Sequence, residues 1–221
     1  MRIKSRYRVY YSRVKFWLYE MLGLPNMTGK EVRIVKYILS QLKNKEITVF
    51  EWGMGSSTIY FTDYLRSIGK NFRWFAIDND KEWFDKISDK VKNHNSQGIN
   101  LYLREFVPFW EKASGNFCAR EKNELDYINF PKTLPDKFDV LLIDGRFRRC
   151  CLEVAKEVLT DDGVIILHDA HRPHYQRGLS EFPCQATISG SDFAPFQKWH
   201  NKTWVGSNYN NKIINNLKGR K

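Results

Sequence analysis

The sequence predicts an α/β fold of the doubly wound kind, with a mostly parallel central sheet, helices on both faces and a C-terminal antiparallel hairpin. Three observations predict it. Continuous apolar runs such as residues 138–143 (FDVLLI) suit strands covered on both faces. Helical periodicity fills the intervals between such runs. The runs at residues 47–52, 72–77, 138–143 and 163–167 each end in or run into a carboxylate: Glu51, Asp78, Asp144 and, after His168, Asp169. In a parallel sheet those four positions gather along one edge, where open α/β sheets bind their ligands.

Taken in order, residues 1–30 form a basic, aromatic segment that the sequence predicts to be helical, and residues 31–221 form the domain that follows it. Arg2, Lys4, Arg6, Arg8, Arg13 and Lys15 alternate with Tyr7, Tyr10, Tyr11, Phe16, Trp17 and Tyr19, and the first acidic residue is Glu20. The apolar stretches are too short and too charged for a signal peptide or a membrane span. Two readings stay open for residues 1–20: a helix packed on the core, or peripheral contact with an anionic membrane.

Residues 31–42 place Val32, Ile34, Val35, Ile38, Leu39 and Leu42 on one helical face. Residues 47–58 (ITVFEWGMGSST) read as a buried strand, a tight turn and a helix start. Gly53 and Gly55 supply the freedom to bend sharply or to lie against a ligand. Ser56, Ser57 and Thr58 are suited to capping the helix, which continues over residues 59–68. The strand at 72–77 leads to Asp78, Asn79 and Asp80, where an acidic group suits the two hydroxyls of a ribose. Residues 82–91 form a third helix and 99–103 a third strand. Residues 105–135 show no clear period and exceed an ordinary loop, so they hold either a lid or an unread element. A helix follows residue 148, and residues 184–189 (CQATIS) and 203–208 (TWVGSN) are suited to the hairpin.

Composition sets bounds. The chain has 221 residues, 42% of them hydrophobic, enough for one substantial core. Cys118, Cys150, Cys151 and Cys184 lack metal-ligand spacing and read as reduced core thiols, which favours a cytoplasmic location. A formal charge of +11 favours acidic partners.

The pattern Glu51-x-Gly53-x-Gly55, with Asp78 after the next strand, resembles the first motif of the class I S-adenosylmethionine-dependent methyltransferases. That resemblance implies a Rossmann-like fold and S-adenosyl-L-methionine as cofactor, held by Glu51, Gly53, Gly55, Ser56, Ser57, Thr58, Asp78, Asn79 and Asp144. A dinucleotide site favours a third glycine that is missing here, and Glu51 beside a ligand suits a cationic sulfonium better than a pyrophosphate. Residues 144–148 (DGRFR) and 164–175 (VIILHDAHRPHY) resemble the uronic-acid and polysaccharide O-methyltransferases related to plant glucuronoxylan methyltransferases, with His168, Asp169 and Arg172 in a His-Asp-x-x-Arg pattern. This implies methyl transfer to a hydroxyl of an acidic saccharide or phosphorylated glycan. Asp144, His168, Asp169 and Arg172 form the catalytic set, Asp169 or His168 acts as general base, and Arg146, Arg148 and His171 hold the acceptor.

Catechol-type enzymes of the class place carboxylates around Mg²⁺, so Asp144 and Asp169 are also candidate ligands for Mg²⁺ or Mn²⁺, or for Co²⁺ if a histidine joins them. A metal-free site with its aspartates held by arginines is the other reading. His168, His171 and His174 lie three apart, which would put them on one side of a helix. Two further functions remain as alternatives. One is RNA methylation, favoured by the charge but lacking the Asn/Asp-Pro-Pro-Tyr motif, since the fourth run reads IDGR. The other is a non-catalytic module that binds polyanions or membrane.

Overall fold

The computed structural model describes Val14 and residues 17–106, 121–194 and 197–219. Its centre is a seven-stranded sheet of order β3-β2-β1-β4-β5-β7-β6. The strands are β1 (Glu46–Trp52), β2 (Asn71–Asp78), β3 (Ile99–Leu103), β4 (Phe138–Ile143), β5 (Leu159–Leu167), β6 (Cys184–Ala194) and β7 (Gln197–Ser207). The first five are mutually parallel, and β7 runs antiparallel to both β5 and β6. The expected Rossmann-like architecture with a C-terminal antiparallel hairpin is therefore present.

Helices α1 (Gly29–Gln41), α2 (Ser56–Ser67), α3 (Lys81–His94), α4 (Lys122–Asn129), α5 (Arg148–Val158), α6 (Gln176–Leu179) and α7 (Lys212–Lys218) complete the fold. Successive residues of a strand face opposite sides of the sheet, and the two cores follow from that period. Phe50, Trp52, Phe75, Ile77, Leu141, Ile143, Ile165 and Leu167 build one core. Ile47, Val49, Trp74, Ala76, Val140, Leu142, Val164 and Ile166 build the other, against Ile34, Val35, Ile38 and Leu39 of α1. Both faces of the central strands are covered, so their sequences show no polar alternation.

Residues 105–135 contain α4 and a 3-10 turn at Phe130–Thr133, whose Tyr127, Ile128 and Phe130 enter the first core. Residues 107–120, and with them any lid, lie outside the described residues, as does the basic stretch 1–13. Cys150, Cys151 and Cys184 are buried thiols outside any disulfide. Cys118 is outside the described residues.

The helix that reaches residue 21 stops at Gly23. Gly23 adopts φ +64°, Leu24 N–H donates to Tyr19 O at 2.8 Å and Gly23 N–H donates to Glu20 O at 3.2 Å. This is a Schellman stop, which turns the chain back on itself. Thr28 then caps α1: its Oγ1 accepts from Glu31 N–H at 3.3 Å, while its own N–H donates to Glu31 Oε2 at 2.8 Å.

Register positions the site. Trp52 pairs with both Ile77 and Ile143, and Ile143 pairs with Leu167. The residues one step beyond these pairs are Gly53, Asp78, Asp144 and His168, so four strand ends arrive side by side. The order changes direction between β1 and β4, and a crevice forms at such a switch point.

Candidate functional site

The turn after β1 depends on two glycines in contact. Gly53 has φ +88°, and a Cβ there would lie 2.5 Å from both Cα and N of Gly145 in the loop after β4. A Cβ on Gly145 would lie 2.1 Å from Tyr127 Oη. Neither position admits a side chain. Main-chain bonds fix the approach, from Gly53 N–H to Ile77 O at 2.9 Å and from Asp144 N–H to Trp52 O at 3.0 Å.

Glu51 lies behind this turn. Its Oε1 accepts from Ser57 Oγ at 2.5 Å, and its Oε2 accepts from Thr58 Oγ1 at 2.6 Å and Trp74 Nε1 at 2.9 Å. Burial pushes its carboxyl up to about 7 against the pull of those three donors. Glu51 and Thr58 are fully buried and, unlike Gly53, Gly55, Ser56 and Ser57, are not among the residues lining the cavity beside the turn. The Glu51 carboxylate fixes the start of α2 to β1 and β2. Thr58 Oγ1 also accepts from Gly55 N–H at 3.2 Å.

Gly53, Gly55, Ser56, Ser57, Asp78, Asn79 and Asp144 all line one cavity of about 480 Å³. That size falls within the range of small-molecule sites, about 300–1,000 Å³. Asp78 Oδ1 accepts from the N–H groups of Asn79 at 2.7 Å and Asp80 at 3.0 Å. Burial still raises its carboxyl to about 6. Asn79 Nδ2 donates to Phe106 O at 3.0 Å, tying down the segment after β3. Asp80 caps α3 through Trp83 N–H at 3.0 Å, and Trp83 Nε1 reaches back to Met54 O at 2.7 Å. Trp83 therefore both walls the cavity and holds the glycine turn.

The opposite wall carries a buried charge chain. Asp144 Oδ1 meets His168 Nδ1 at 2.8 Å and Arg148 Nη2 at 2.9 Å. His168 Nε2 faces Glu31 Oε1 at 3.5 Å, and that oxygen accepts from Thr203 Oγ1 at 2.6 Å. Burial disfavours a charged imidazole, but Asp144 and Glu31 outweigh it and raise His168 to about 10. Burial acts in the same sense on both carboxyls and pushes them up. The imidazolium nevertheless holds Glu31 down at about 2 and, with Arg148, keeps Asp144 below the usual carboxylate range. His168 lines the cavity with its ring nitrogens toward Asp144 and Glu31, a setting that favours the charged ring over a proton-accepting one.

Arg148 uses most of its donors on the protein itself. Its Nε donates to Gly145 O at 3.0 Å, Nη1 to His168 O at 2.6 Å and Nη2 to Asp144 O at 2.7 Å. It ties the β4 and β5 ends together and also lines the cavity, largely buried. Asp169 lines the cavity from a left-handed backbone, φ +57°, a conformation that is uncommon outside glycine and gathers at functional sites. Its Oδ2 lies 3.4 Å from Arg172 Nη2 and 3.7 Å from Arg148 Nη1. Arg146 lines the same cavity, whereas His171 is exposed and does not.

Asp144 and Asp169 do not fit a divalent metal. Both contact Arg148, and Asp144 also holds the His168 imidazolium, so an incoming cation would meet two fixed positive charges. No group of three or more His, Cys, Asp or Glu set for a metal occurs among the described residues. The cavity does fit a nucleoside bearing a small cation: glycine backbone on one side, Asp78 beside Asn79, and Asp144 opposite. Asp139 makes a useful contrast at the other end of β4, where its oxygens accept from Thr48 N–H at 2.9 Å and Asn44 Nδ2 at 2.6 Å and serve the fold alone.

Residues 19–27 were not expected at the site. Tyr19, Glu20, Leu24, Pro25, Asn26 and Met27 all line the cavity. Glu20 anchors this roof to α3 through Lys86 and Lys90, the latter at 3.2 Å. The sequence signal was Leu22-Gly23-Leu24-Pro25, a helix stop with proline beyond it. Glu31 was missed for another reason: its capping spacing is legible, but its approach to His168 is a tertiary event.

A methyltransferase domain family matches residues 50–170, more than half of the chain, and the protein belongs to it. It is an enzyme of methyl transfer with S-adenosylmethionine as the methyl donor. No curated protein matches the chain. Among solved structures, a Listeria monocytogenes protein assigned to the class I S-adenosylmethionine-dependent methyltransferases superposes with TM-score 0.55 at 13% identity, covering 81% of this chain and 60% of that one. An S-adenosylmethionine-dependent O-methyltransferase from Thermotoga maritima gives 0.54 at 11% identity, with 86% and 71% covered. Spermidine synthase from the same organism gives 0.53 at 13% identity, with 85% and 61% covered. The chain thus spans about three fifths of two of these proteins, and at such identities the likeness is one of fold.

Proposed function

We propose that the enzyme transfers methyl to a hydroxyl of an acidic saccharide, a uronic acid or a phosphorylated glycan. The observation that supports this most is Asp169, a carboxylate on the cavity wall in a strained backbone, with the Arg172 guanidinium 3.4 Å away and Arg146 on the same wall. A hydroxyl acceptor needs a proton acceptor, and an acidic saccharide needs a cation to hold it.

S-adenosylmethionine supplies an electrophilic methyl on a sulfonium. The glycine backbone at Gly53 admits the nucleoside, Asp78 takes the ribose hydroxyls, and Asp144 places negative charge opposite. Arg146 and Arg172 orient the acceptor so that its oxygen stands in line behind the methyl. The bound cofactor would supply the methyl to that oxygen and would keep the electron pair of the carbon–sulfur bond on its sulfur. Asp169 takes the hydroxyl proton. His168 and Arg148 hold Asp144 and the β5 end in place throughout and exchange no proton.

The test is turnover with S-adenosylmethionine on uronic-acid oligosaccharides, on their carboxyl-reduced neutral counterparts and on RNA. Release of the demethylated cofactor with the acidic sugars alone supports the proposal. Turnover on RNA, which the net charge of +11 would also attract, overturns it.

A further inference from the structure

The helix that forms the cavity roof carries an apolar face left exposed among the described residues. Trp17, Leu18, Met21 and Leu22 are each between 44% and 67% exposed, four of the seven large exposed hydrophobics among the described residues. At about 100° per residue they span an arc of roughly 140° on one side. Tyr19 and Glu20 occupy the other side and line the cavity. Glu20, the first acidic residue of the chain, is turned inward onto Lys86 and Lys90 and adds no negative charge to the outer face.

We propose that this face seats the enzyme on an anionic lipid bilayer, with the cavity roof against the membrane. Two observations select that occupant. The sequence immediately before the face carries Arg2, Lys4, Arg6, Arg8, Arg13 and Lys15 with no acidic residue, a charge complementary to an anionic leaflet. The face itself combines tryptophan with long aliphatic side chains, which enter the headgroup boundary readily. No helix among the described residues is long and apolar enough to cross a membrane, so this contact is an interfacial one. The roof then connects membrane and site directly. Tyr19 and Glu20 touch the cavity while their neighbours Leu18 and Met21 touch lipid, so one turn of helix separates the site from the membrane.

The experiment is sedimentation of the full chain with vesicles of zwitterionic phospholipid and with vesicles mixed equally with an anionic phospholipid. It is read as bound fraction and needs no acceptor, so its outcome is separate from that of the saccharide assay. The expected result is binding to the mixed vesicles, loss in high salt, and a fall of at least roughly tenfold for Leu18→Glu with Leu22→Glu. Arg6→Gln, Arg8→Gln and Arg13→Gln together should weaken binding by roughly a hundredfold. Both variants should keep the helical signal and the cofactor affinity of the parent; Leu18 and Leu22 do not line the cavity. Equal binding to both vesicle types, no binding, or concentration-dependent self-association abolished by the Leu18 and Leu22 changes overturns the proposal. So does binding of an RNA homopolymer that those changes weaken equally.

Discussion

Glu31 Oε1 stands 3.5 Å from His168 Nε2, joining the first turn of α1 to the end of β5 through two nearly inaccessible side chains. Because Asp144 holds the other ring nitrogen at 2.8 Å, the imidazole lies between two carboxylates that favour its charged form. Its protonated form is favoured by the fold, so this stabilisation is fully present below the ordinary value of 6.5 and is lost as pH rises through about 10. His168→Gln should therefore be destabilised most below about 6.5 and approach the parent as pH rises through about 10. Melting temperatures across that range check it, and a constant difference would remove the imidazolium from the account.

Glu31 has the opposite sign. Its carboxyl is held at about 2, so its contribution is present above 4.5 and is lost as pH falls toward 2. Glu31→Gln leaves His168 with one partner and should cost roughly 3–5 kcal/mol near neutrality, the usual cost of breaking a buried pair. Denaturant unfolding measures this. A loss below about 1 kcal/mol would mean that Thr203 and Thr28 alone account for the conservation of geometry around Glu31.

Glu51 is a buried acid that prefers its proton. With its carboxyl raised to about 7, the native state gains from the neutral form below the ordinary 4.5 and loses that advantage as pH rises through about 7. Glu51→Gln keeps the shape and removes the titration. The variant should lose relative stability in acid, where the parent is neutral, and recover part of it above neutrality. Parallel pH profiles for parent and variant would show that the carboxylate does not titrate.

The strand ends that make the site were legible because each announces itself in sequence: an apolar run, then Glu51, Asp78, Asp144 or Asp169. What could not be read was which way each side chain turns. Glu51 and Arg148 were expected to meet ligands, yet local hydrogen bonds to Ser57, Thr58 and Trp74, and to Gly145, Asp144 and His168, absorb them. For His168 it is Asp144 and Glu31, acting against burial, that favour the charged ring. Gly145 was legible as a small residue, but its reason lies in two distant elements, Gly53 and Tyr127. The roof at residues 19–27 escaped because aromatic and basic composition concealed the Gly23 stop.

Gly53→Ala tests the glycine contact. The added Cβ would sit 2.5 Å from Gly145 and the residue would keep φ +88°, so the two loops must separate. Strain of that kind costs about 1–3 kcal/mol. Calorimetry with S-adenosylmethionine should show affinity reduced by roughly tenfold or more, about 1.4 kcal/mol per decade. Unchanged affinity would move the nucleoside away from the turn.

Asp169→Asn separates base from scaffold. Asparagine tolerates the same left-handed backbone, so φ +57° should survive the change. What disappears is the capacity to take a proton and one charge beside Arg172 and Arg148. If Asp169 receives the acceptor proton, kcat should fall by roughly 100-fold or more while cofactor affinity stays within a few fold. Treatment of the parent enzyme with a chelator should leave its rate unchanged, since Arg148 and His168 already neutralise the neighbouring Asp144. The two measurements work together: a variant with parental kcat would retire Asp169 as base, and a chelator-sensitive parent would mean that an ion displaces Arg148 from both aspartates.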